Sequence, residues 1–441
     1  MTETTVTIDR LGHLGHGIAA TPGGPLYVPG ALPGEVVAGR RAGDRLEGLR
    51  ILTPAPERVR PPCPHARTCG GCALQHAEDG FVARWKEGVV AAALAAQGLA
   101  APVRPILTSP PGTRRRATLA ARRTRGGTLV GFHARASDTI VAIPECRLLA
   151  PALMAALPAV GALTAEGASR AGVLAVTLTA TAGGIDAVVS GGATPDMAVA
   201  GAKAPHTAVA GAKAPDPARA ARLAAIAAEA GFARLTWGGE TLLHAAPPTV
   251  AFGPARVTPP PGAFLQATPE GEAALRGVVA GALAGAARVA DLFAGCGTFA
   301  LPLAAHAEVH AVEAEAAMLA ALAEGARHTP GLRRVTTEAR DLFRNPLRAD
   351  ELNRFDAVVL DPPRAGAEAQ ARALAASAVR RVAMVSCNPV SFARDARLLA
   401  EGGLGLRFVQ PVDQFRWSPH IELAALFTRG DTSQQPGQGA P

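Results

Sequence analysis

The chain has 441 residues, of which 49% are hydrophobic, 18% charged and only 4% aromatic, with a formal net charge of +8. That balance is ordinary for a globular protein with two or three substantial cores. The polar opening "MTETTVTIDR" has no signal-peptide pattern, and apolar stretches such as "PALMAALPAVGAL" are short and broken by Pro, so no membrane span is predicted and a reducing, cytoplasmic setting is expected.

Residues 1–52 alternate short β-like runs with Gly and Pro turns, a pattern that predicts a small β-barrel. Residues 54–76 are rich in Pro and Cys and show little periodicity. "GFVARWKEGVVAAALAAQGL" has helical period and good helix formers. Strands return over about 113–149, where "RRRATLAARR" and "GTLVGFHA" flank a turn containing two glycines. Lys86, Lys203 and Lys213 are the only lysines, so nearly all of the positive charge is arginine. Arg114, Arg115, Arg116, Arg122, Arg123 and Arg125 cluster in these hairpins, where guanidinium forks match phosphate geometry and predict a polyanionic partner. Residues 198–205 and 208–215 both read "AVAGAKAP", an offset repeat too weakly apolar to stack and read as a flexible insertion.

From about residue 258 the text changes to strand–loop–helix alternation, which implies a parallel, doubly wound sheet. Ligands of such sheets bind beyond the carboxyl ends of the strands. Asp291, Glu313, Asp341, Asp361 and Cys387 all fall at or just after predicted strand ends. "GCGTFA", residues 295–300, fits the loose dinucleotide-loop pattern, with Glu313 at the expected distance. Asp291 beside that loop would repel a pyrophosphate and attract a cationic amino-acid end. S-adenosylmethionine has an ammonium and a sulfonium and lacks a phosphate, so it fits better. Gly295 and Gly297 let the backbone approach it, Glu313 takes the ribose hydroxyls, and Asp341 lies near the adenine.

"LDPPRAG" resembles the strand end of amine methyltransferases, but Arg364 stands where those enzymes place an aromatic that stacks on the base. Cys387, in "SCNP", offers a different chemistry. The C5 carbon of uracil is a poor nucleophile until a thiolate adds to C6; a base must then remove the C5 proton so that the thiol leaves. Four further cysteines form a second group: Cys63-x5-Cys69-x2-Cys72, with Cys146 as the fourth ligand candidate. Four thiolates suit either zinc or a [4Fe–4S] cluster, and His65 and His76 keep mixed zinc ligation open. Cys296, inside the glycine loop, is read as structural.

The motifs "DLFAGCGTF", "LDPPRAG" and "SCNP", in this order, together with "GHGIA" and "VPGALPGE" near the start and "HIELAALFT" near the end, resemble the RNA uracil-5-methyltransferases. The resemblance is strongest to the 23S ribosomal RNA members that carry a TRAM domain and an iron–sulfur cluster. It implies an α/β fold with an N-terminal OB-like barrel (TRAM, 1–52), an α+β central domain with the cluster (53–257), a class I, Rossmann-like methyltransferase domain (258–430) and a disordered tail (431–441). It also implies that the helix at about 81–105 packs with the catalytic domain. Cys387 would be the nucleophile and Glu422 the proton-abstracting base. Gln266, Phe293, Thr298, Glu313, Asp341 and Asp361 would contact S-adenosylmethionine, and Cys63, Cys69, Cys72 and Cys146 would hold [4Fe–4S]. The family commonly has Asn at the positions of Thr298 and Thr268, so altered contacts with retained binding are expected there. The implied protein is a monomer acting on RNA, 23S rRNA ahead of tRNA. The rivals are an amine methyltransferase and a non-catalytic ribosome-assembly factor that keeps the fold.

Overall fold

The computed structural model describes residues 3–169, 172–191 and 214–430. The repeat at 198–215 falls almost wholly, and the tail at 431–441 wholly, outside the described residues. No helix among the described residues is long and apolar enough to cross a membrane.

The first six strands are β1 (Glu3–Thr7), β2 (Arg10–Leu11), β3 (His16–Thr21), β4 (Gly24–Pro29), β5 (Val36–Ala42) and β6 (Arg45–Thr53). They form one sheet in the order β1-β5-β6-β4-β3-β2. Inward-facing residues of these strands and of the turns beside them meet in a small core of Ile8, Ala19, Leu26, Val28, Ala31, Val37 and Leu46. Fully buried Glu35 ties this unit to the next segment. Its carboxylate accepts from the backbone N–H groups of Leu32 (2.8 Å) and Ala55 (3.2 Å) and pairs with Arg58.

The middle of the chain begins with α1 (Asp79–Ala95) and β7 (Leu107–Thr108) and continues through β8 (Arg116–Thr124), β9 (Gly127–His133), β10 (Ile140–Ala142), α2 (Pro151–Gly167), β11 (Val173–Thr181) and β12 (Gly184–Gly191). Then follow α3 (Pro217–Glu229), β13 (Phe232–Trp237), β14 (Glu240–His244) and the ribbon β15 (Val250–Phe252) and β16 (Ala255–Val257). Strands β8–β14 without the ribbon make a seven-stranded sheet in the order β10-β9-β8-β11-β12-β13-β14. Helices α2 and α3 cover it, burying Leu153, Val160, Leu223 and Ala227 against Leu119, Val176, Leu178 and Leu235.

The arginine run of β8 divides. Arg122, Arg123 and Arg125 are exposed, but Arg114, Arg115 and Arg116 turn inward. Arg115 pairs with Glu272 and donates to the Gln266 carbonyl at 3.1 Å, and Arg116 donates to the Gly262 carbonyl at 3.2 Å. Two of the six arginines therefore fasten the central sheet to the segment that opens the last unit.

That unit holds α4 (Pro269–Ala282), β17 (Arg288–Leu292), α5 (Ala300–Leu303), β18 (Glu308–Glu313), α6 (Ala316–Arg327), β19 (Val335–Ala339), α7 (Ala349–Leu352), β20 (Ala357–Leu360), α8 (Glu368–Ala375), β21 (Arg381–Ser386), α9 (Pro389–Glu401), β22 (Leu404–Asp413) and β23 (Glu422–Arg429). The sheet order is β19-β18-β17-β20-β21-β23-β22-β7. β19, β18, β17, β20 and β21 are parallel, as alternation with helices requires. The parallel sheet read from the alternation holds for these five strands; beyond them, β23 is antiparallel to both β21 and β22. A short loop, not a helical crossover, joins β22 to β23, and a short loop can only return the chain antiparallel.

Helices α4, α5 and α6 pack on one face of the sheet with the β15–β16 ribbon. On the other face lie α8, α9 and α1, whose Val90 and Leu94 are buried among Phe392, Leu399 and Phe427. β7 adds the last edge strand beside Val412 and Asp413. Thus residues from before the central sheet complete the core of the final one.

Candidate active site at the carboxyl edge of the last sheet

The parallel strands end together on one edge, and the loops beyond them enclose a cavity of about 420 Å³. β17 ends at Leu292, and Phe293 then takes φ +63, a left-handed conformation that is rare for a bulky residue and marks a constrained position. The turn aims its ring at the cavity, 5.4 Å from that of Phe343 and tilted by 56°. Gly295, at φ +55, follows on the cavity wall, and its N–H donates to Glu313 Oε2 at 3.0 Å. The other oxygen of Glu313 accepts from the N–H of Ala314 at 2.7 Å. The carboxylate at the end of β18 is therefore fixed against the glycine loop of β17.

Beyond β19, Asp341 accepts from the N–H groups of Phe343 (2.9 Å) and Arg344 (3.3 Å), which folds the chain back over the cavity. Arg340 holds that fold from behind, bonded to Glu351 at 2.9 and 3.1 Å and to the carbonyls of Asn345 and Pro346, both at 2.7 Å. The Arg340 hydrogen bonds bring the Glu351 carboxyl down to about 2, so this pair stays ionised. Arg340 is therefore neutralised within the scaffold, while Glu313, Glu315, Asp341 and Asp361 leave the lining strongly acidic. Such a wall repels phosphate and favours a ligand bearing positive charge.

All six residues named for cofactor contact, Gln266, Phe293, Thr298, Glu313, Asp341 and Asp361, line this one cavity. Gln266 is 2% exposed; its Oε1 accepts from Gln414, whose own Oε1 accepts from the Ala267 N–H at 2.7 Å. The Gln266 amide NH2 is thereby the group left for a ligand. Thr268 behaves otherwise. It caps α4 by accepting from the Gly271 N–H at 3.0 Å and meets the Ser109 hydroxyl at 2.7 Å, so it is committed to the scaffold. Asp291 falls at the end of β17, just before the glycine loop as expected, and is fully buried there, behind the carboxylates that line the cavity. Sequence reasoning missed Phe343 and Gln414. The signal for the first was an aromatic directly after a strand-end Asp-Leu; nothing marked the second.

Cys387 follows β21 and is half-buried. Its neighbours are pinned: the Asn388 N–H donates to Ser386 Oγ at 3.2 Å, and Asn388 caps α9 by accepting from the Val390 N–H at 3.1 Å. Asn388 Nδ2 and Ser391 Oγ both donate to the Arg364 carbonyl, at 3.1 and 2.9 Å. The thiol's turn is thereby bolted to the 361–365 loop that walls the cavity. Glu422, 3% exposed, begins β23 on the same edge, because β23 runs the other way.

The other cysteines converge elsewhere. Cys63, Cys69 and Cys72 are buried, and Cys146 is half-buried. Gly70 hydrogen-bonds the His133 carbonyl at 2.9 Å, which sets their loop against the end of β9. Burial, then the charges of neighbouring cysteines, push the Cys72 thiol up to about 12 and the Cys146 thiol above its usual range. Backbone N–H groups point at two of the sulfurs: Gly71 at Cys69, 3.4 Å away, and Leu148 and Leu149 at Cys146. Thiols that raise one another's pKa, with donors aimed at the sulfur, form a donor set that a cationic centre would relieve. No group of three or more His, Cys, Asp or Glu among the described residues is arranged to hold a single metal ion. Cys296 is 2% exposed in the glycine loop, its thiol pushed up to about 12 by burial and then by Glu313.

Residues 280–430 match the family model described as tRNA (Uracil-5-)-methyltransferase. A protein of Brucella suis biovar 1 described as an uncharacterized RNA methyltransferase is 44% identical, covering 96% of this chain and 98% of its own. The 23S rRNA (uracil(1939)-C(5))-methyltransferase RlmD of Chromohalobacter salexigens is 33% identical, covering 97% of this chain and 90% of its own. Among solved structures, the Pyrococcus abyssi tRNA (uracil-54, C5)-methyltransferase in complex with S-adenosyl-L-homocysteine superposes with a TM-score of 0.71 at 19% identity, over 96% of this chain and 99% of that one. This last likeness bears on fold alone.

Proposed function

The chain belongs to the RNA uracil-5-methyltransferase family and is an S-adenosylmethionine-dependent enzyme of that kind, and from that premise we propose that it methylates C5 of a uridine in 23S ribosomal RNA through Cys387 and Glu422. The observation that carries the mechanism is the shared edge: the acidic cavity, the Cys387 turn and the start of β23 lie beyond the same strand ends. The preference for 23S rRNA is supported by the relative of that specificity, which aligns over nearly the whole chain.

S-adenosylmethionine supplies an electrophilic methyl on a sulfonium. Gln266, Phe293, Thr298, Glu313, Asp341 and Asp361 bind and orient it, with the Phe293–Phe343 pair as the apolar wall and the carboxylates matching its positive charge. The Cys387 thiolate adds to C6 of the uracil, which makes C5 nucleophilic, and C5 takes the methyl. Glu422 then accepts the C5 proton, the C5–C6 double bond re-forms, and the thiolate leaves. The target base must be flipped from its stack to reach this edge. Residues 1–52 act as a TRAM-type docking module, 53–257 as the central RNA-binding region and 258–430 as the catalytic region, with α1 and β7 crossing into the last. Exposed Arg122, Arg123 and Arg125 hold phosphates.

The four cysteines fit a [4Fe–4S] cluster better than mixed zinc ligation. All four donors are sulfur, and His65 Nε2 already accepts from the Glu145 N–H at 3.3 Å. Methyl transfer involves no redox change, so the cluster's role is to order the loop between the central and catalytic regions.

The test is substrate-resolved. Total RNA from a strain lacking this gene is incubated with the purified protein and S-adenosylmethionine, and modified nucleosides are mapped by mass spectrometry. A new 5-methyluridine in 23S rRNA is expected. Methylation confined to tRNA, or an N-methylated nucleoside, would replace this reading.

A further inference from the structure

Residues 414–421 join β22 to β23 and lead directly into Glu422. Lys86, on α1 and with no exposed surface, grips this loop at both ends. Its Nζ pairs with Asp413 Oδ1 at 2.7 Å and donates to the His420 carbonyl at 3.0 Å and the Phe415 carbonyl at 3.4 Å. An ammonium has three N–H groups, and all three are spent here. Asp413 Oδ1 also accepts from the Phe415 N–H at 3.0 Å, so the near end of the loop is closed on the same ion pair.

Other anchors surround this one. The Trp417 carbonyl accepts from the N–H groups of Ala73 (2.8 Å) and Leu74 (2.9 Å), and its indole packs against Cys72 and Leu148. Trp417 has φ +60, a conformation a bulky residue keeps only where its surroundings impose it. Arg416 donates to the Ser109 carbonyl at 3.1 Å and pairs with Asp79. These anchors all lie between residues 72 and 148, far from the loop in sequence. A buried ammonium is expensive to desolvate, and an apolar side chain in its place is often no less stable. Lys86 is also one of three lysines in a chain that otherwise uses arginine. Stability alone therefore does not account for it, whereas its position does: its contact with His420 is two residues before Glu422.

We propose that Lys86 is a positioning residue for Glu422, holding the loop so that the carboxylate meets the C5 proton. This rests on the reading of Glu422 as the base. Cys387 stands just after β21, outside the loop, so thiolate addition and methyl transfer do not depend on the clasp; proton removal does.

The test uses 23S rRNA transcribed with C5-tritiated uridine and a methyl-labelled donor, under single turnover, with Lys86→Met and Lys86→Met/Asp413→Leu. Tritium released to water reports proton removal, and label in a denaturation-resistant protein–RNA complex reports the methylated adduct. Tritium release is expected to slow by roughly tenfold to a hundredfold while the methylated adduct builds up. Parallel loss of both signals, or no change in either, overturns the proposal. The double variant replaces both charges with apolar groups of similar size and answers in place of a single variant that precipitates. Failure of the double variant to fold also overturns it, because Lys86 is then a folding residue. Glu422→Gln is the control. No methylated adduct there sinks the base assignment itself, whereas an adduct there and none in the Lys86 variants sinks only the positioning role.

Discussion

Ser386 stands opposite Leu423 at the end of the β21–β23 ladder. The register pairs Arg381 with Thr428 and runs without a break to this pair; Cys387 directly follows Ser386 and Glu422 directly precedes Leu423, so both lie at this end of the ladder. The proposed nucleophile and the proposed base, which act on adjacent ring carbons, thus come from adjoining ends of neighbouring strands, in a register fixed by six consecutive pairs.

This pairing separates the two steps of the reaction. Cys387→Ala is expected to abolish methylation and to form no covalent complex with RNA containing 5-fluorouridine. Wild-type protein plus cofactor is expected to trap such a complex, because fluorine at C5 cannot be removed as a proton. Glu422→Gln should lower turnover by about 10²–10⁴-fold while still attaching methyl-labelled RNA. Gel analysis under denaturing conditions checks both; an undiminished Cys387→Ala enzyme would end the covalent account.

The glycine loop makes a second distinction. A Cβ on Gly297 would meet Leu301 at 2.9 Å and Leu322 at 3.0 Å, at φ +99, so Gly297→Ala should destabilise the fold by about 1–3 kcal/mol. A Cβ on Gly295 has only Met318 Sδ at 4.0 Å, itself on the cavity wall. Gly295→Ala should therefore change the melting temperature less and weaken S-adenosylhomocysteine binding more. Thermal melts and calorimetric titration of the two variants check this ordering.

Much of this edge is legible in the chain because buried parallel strands read as short apolar runs, and here those of β18, β20 and β21 stop at Glu313, just before Asp361 and just before Cys387. "AVVLDPP" announces both β20 and the wall residue Asp361. The direction of β23 is not legible, since "ELAALFTR" is equally apolar whichever way it runs. Nor is β7, two residues long and paired only through Val412 and Asp413. The arginine run shows the same limit. Arg115 and Arg122 are the same residue type in the same run, and only Glu272 and the Gln266 carbonyl, both more than a hundred residues away, turn the first one inward.

The cysteine loop yields a prediction with a visible readout. Cys69→Ser should remove the brown absorbance expected of a [4Fe–4S] protein and lower its iron content. Because the Ala73 and Leu74 N–H groups hold the Trp417 carbonyl, protease sensitivity should rise around residues 414–421 in the same variant. A colourless wild-type protein containing zinc would replace the iron–sulfur assignment.

The last prediction concerns acid stability and is confined to the first unit. Burial pushes the Glu35 carboxyl up, but the Arg58 hydrogen bond and the N–H groups of Leu32 and Ala55 outweigh it and hold the carboxyl below its ordinary value of 4.5. The folded state thus binds the proton less readily than the unfolded chain does. The stabilisation is complete above that ordinary value and is lost as pH falls through the lower, folded one. Glu35→Gln removes the charge that Arg58 and the two N–H groups face, at a cost of about 2 kcal/mol near neutral pH. Melting curves of wild type and Glu35→Gln, recorded from pH 7 down to about pH 3, should converge as the carboxylate is protonated. If the gap between them stays constant across that range, Glu35 does not carry the charge that orders residues 30–58.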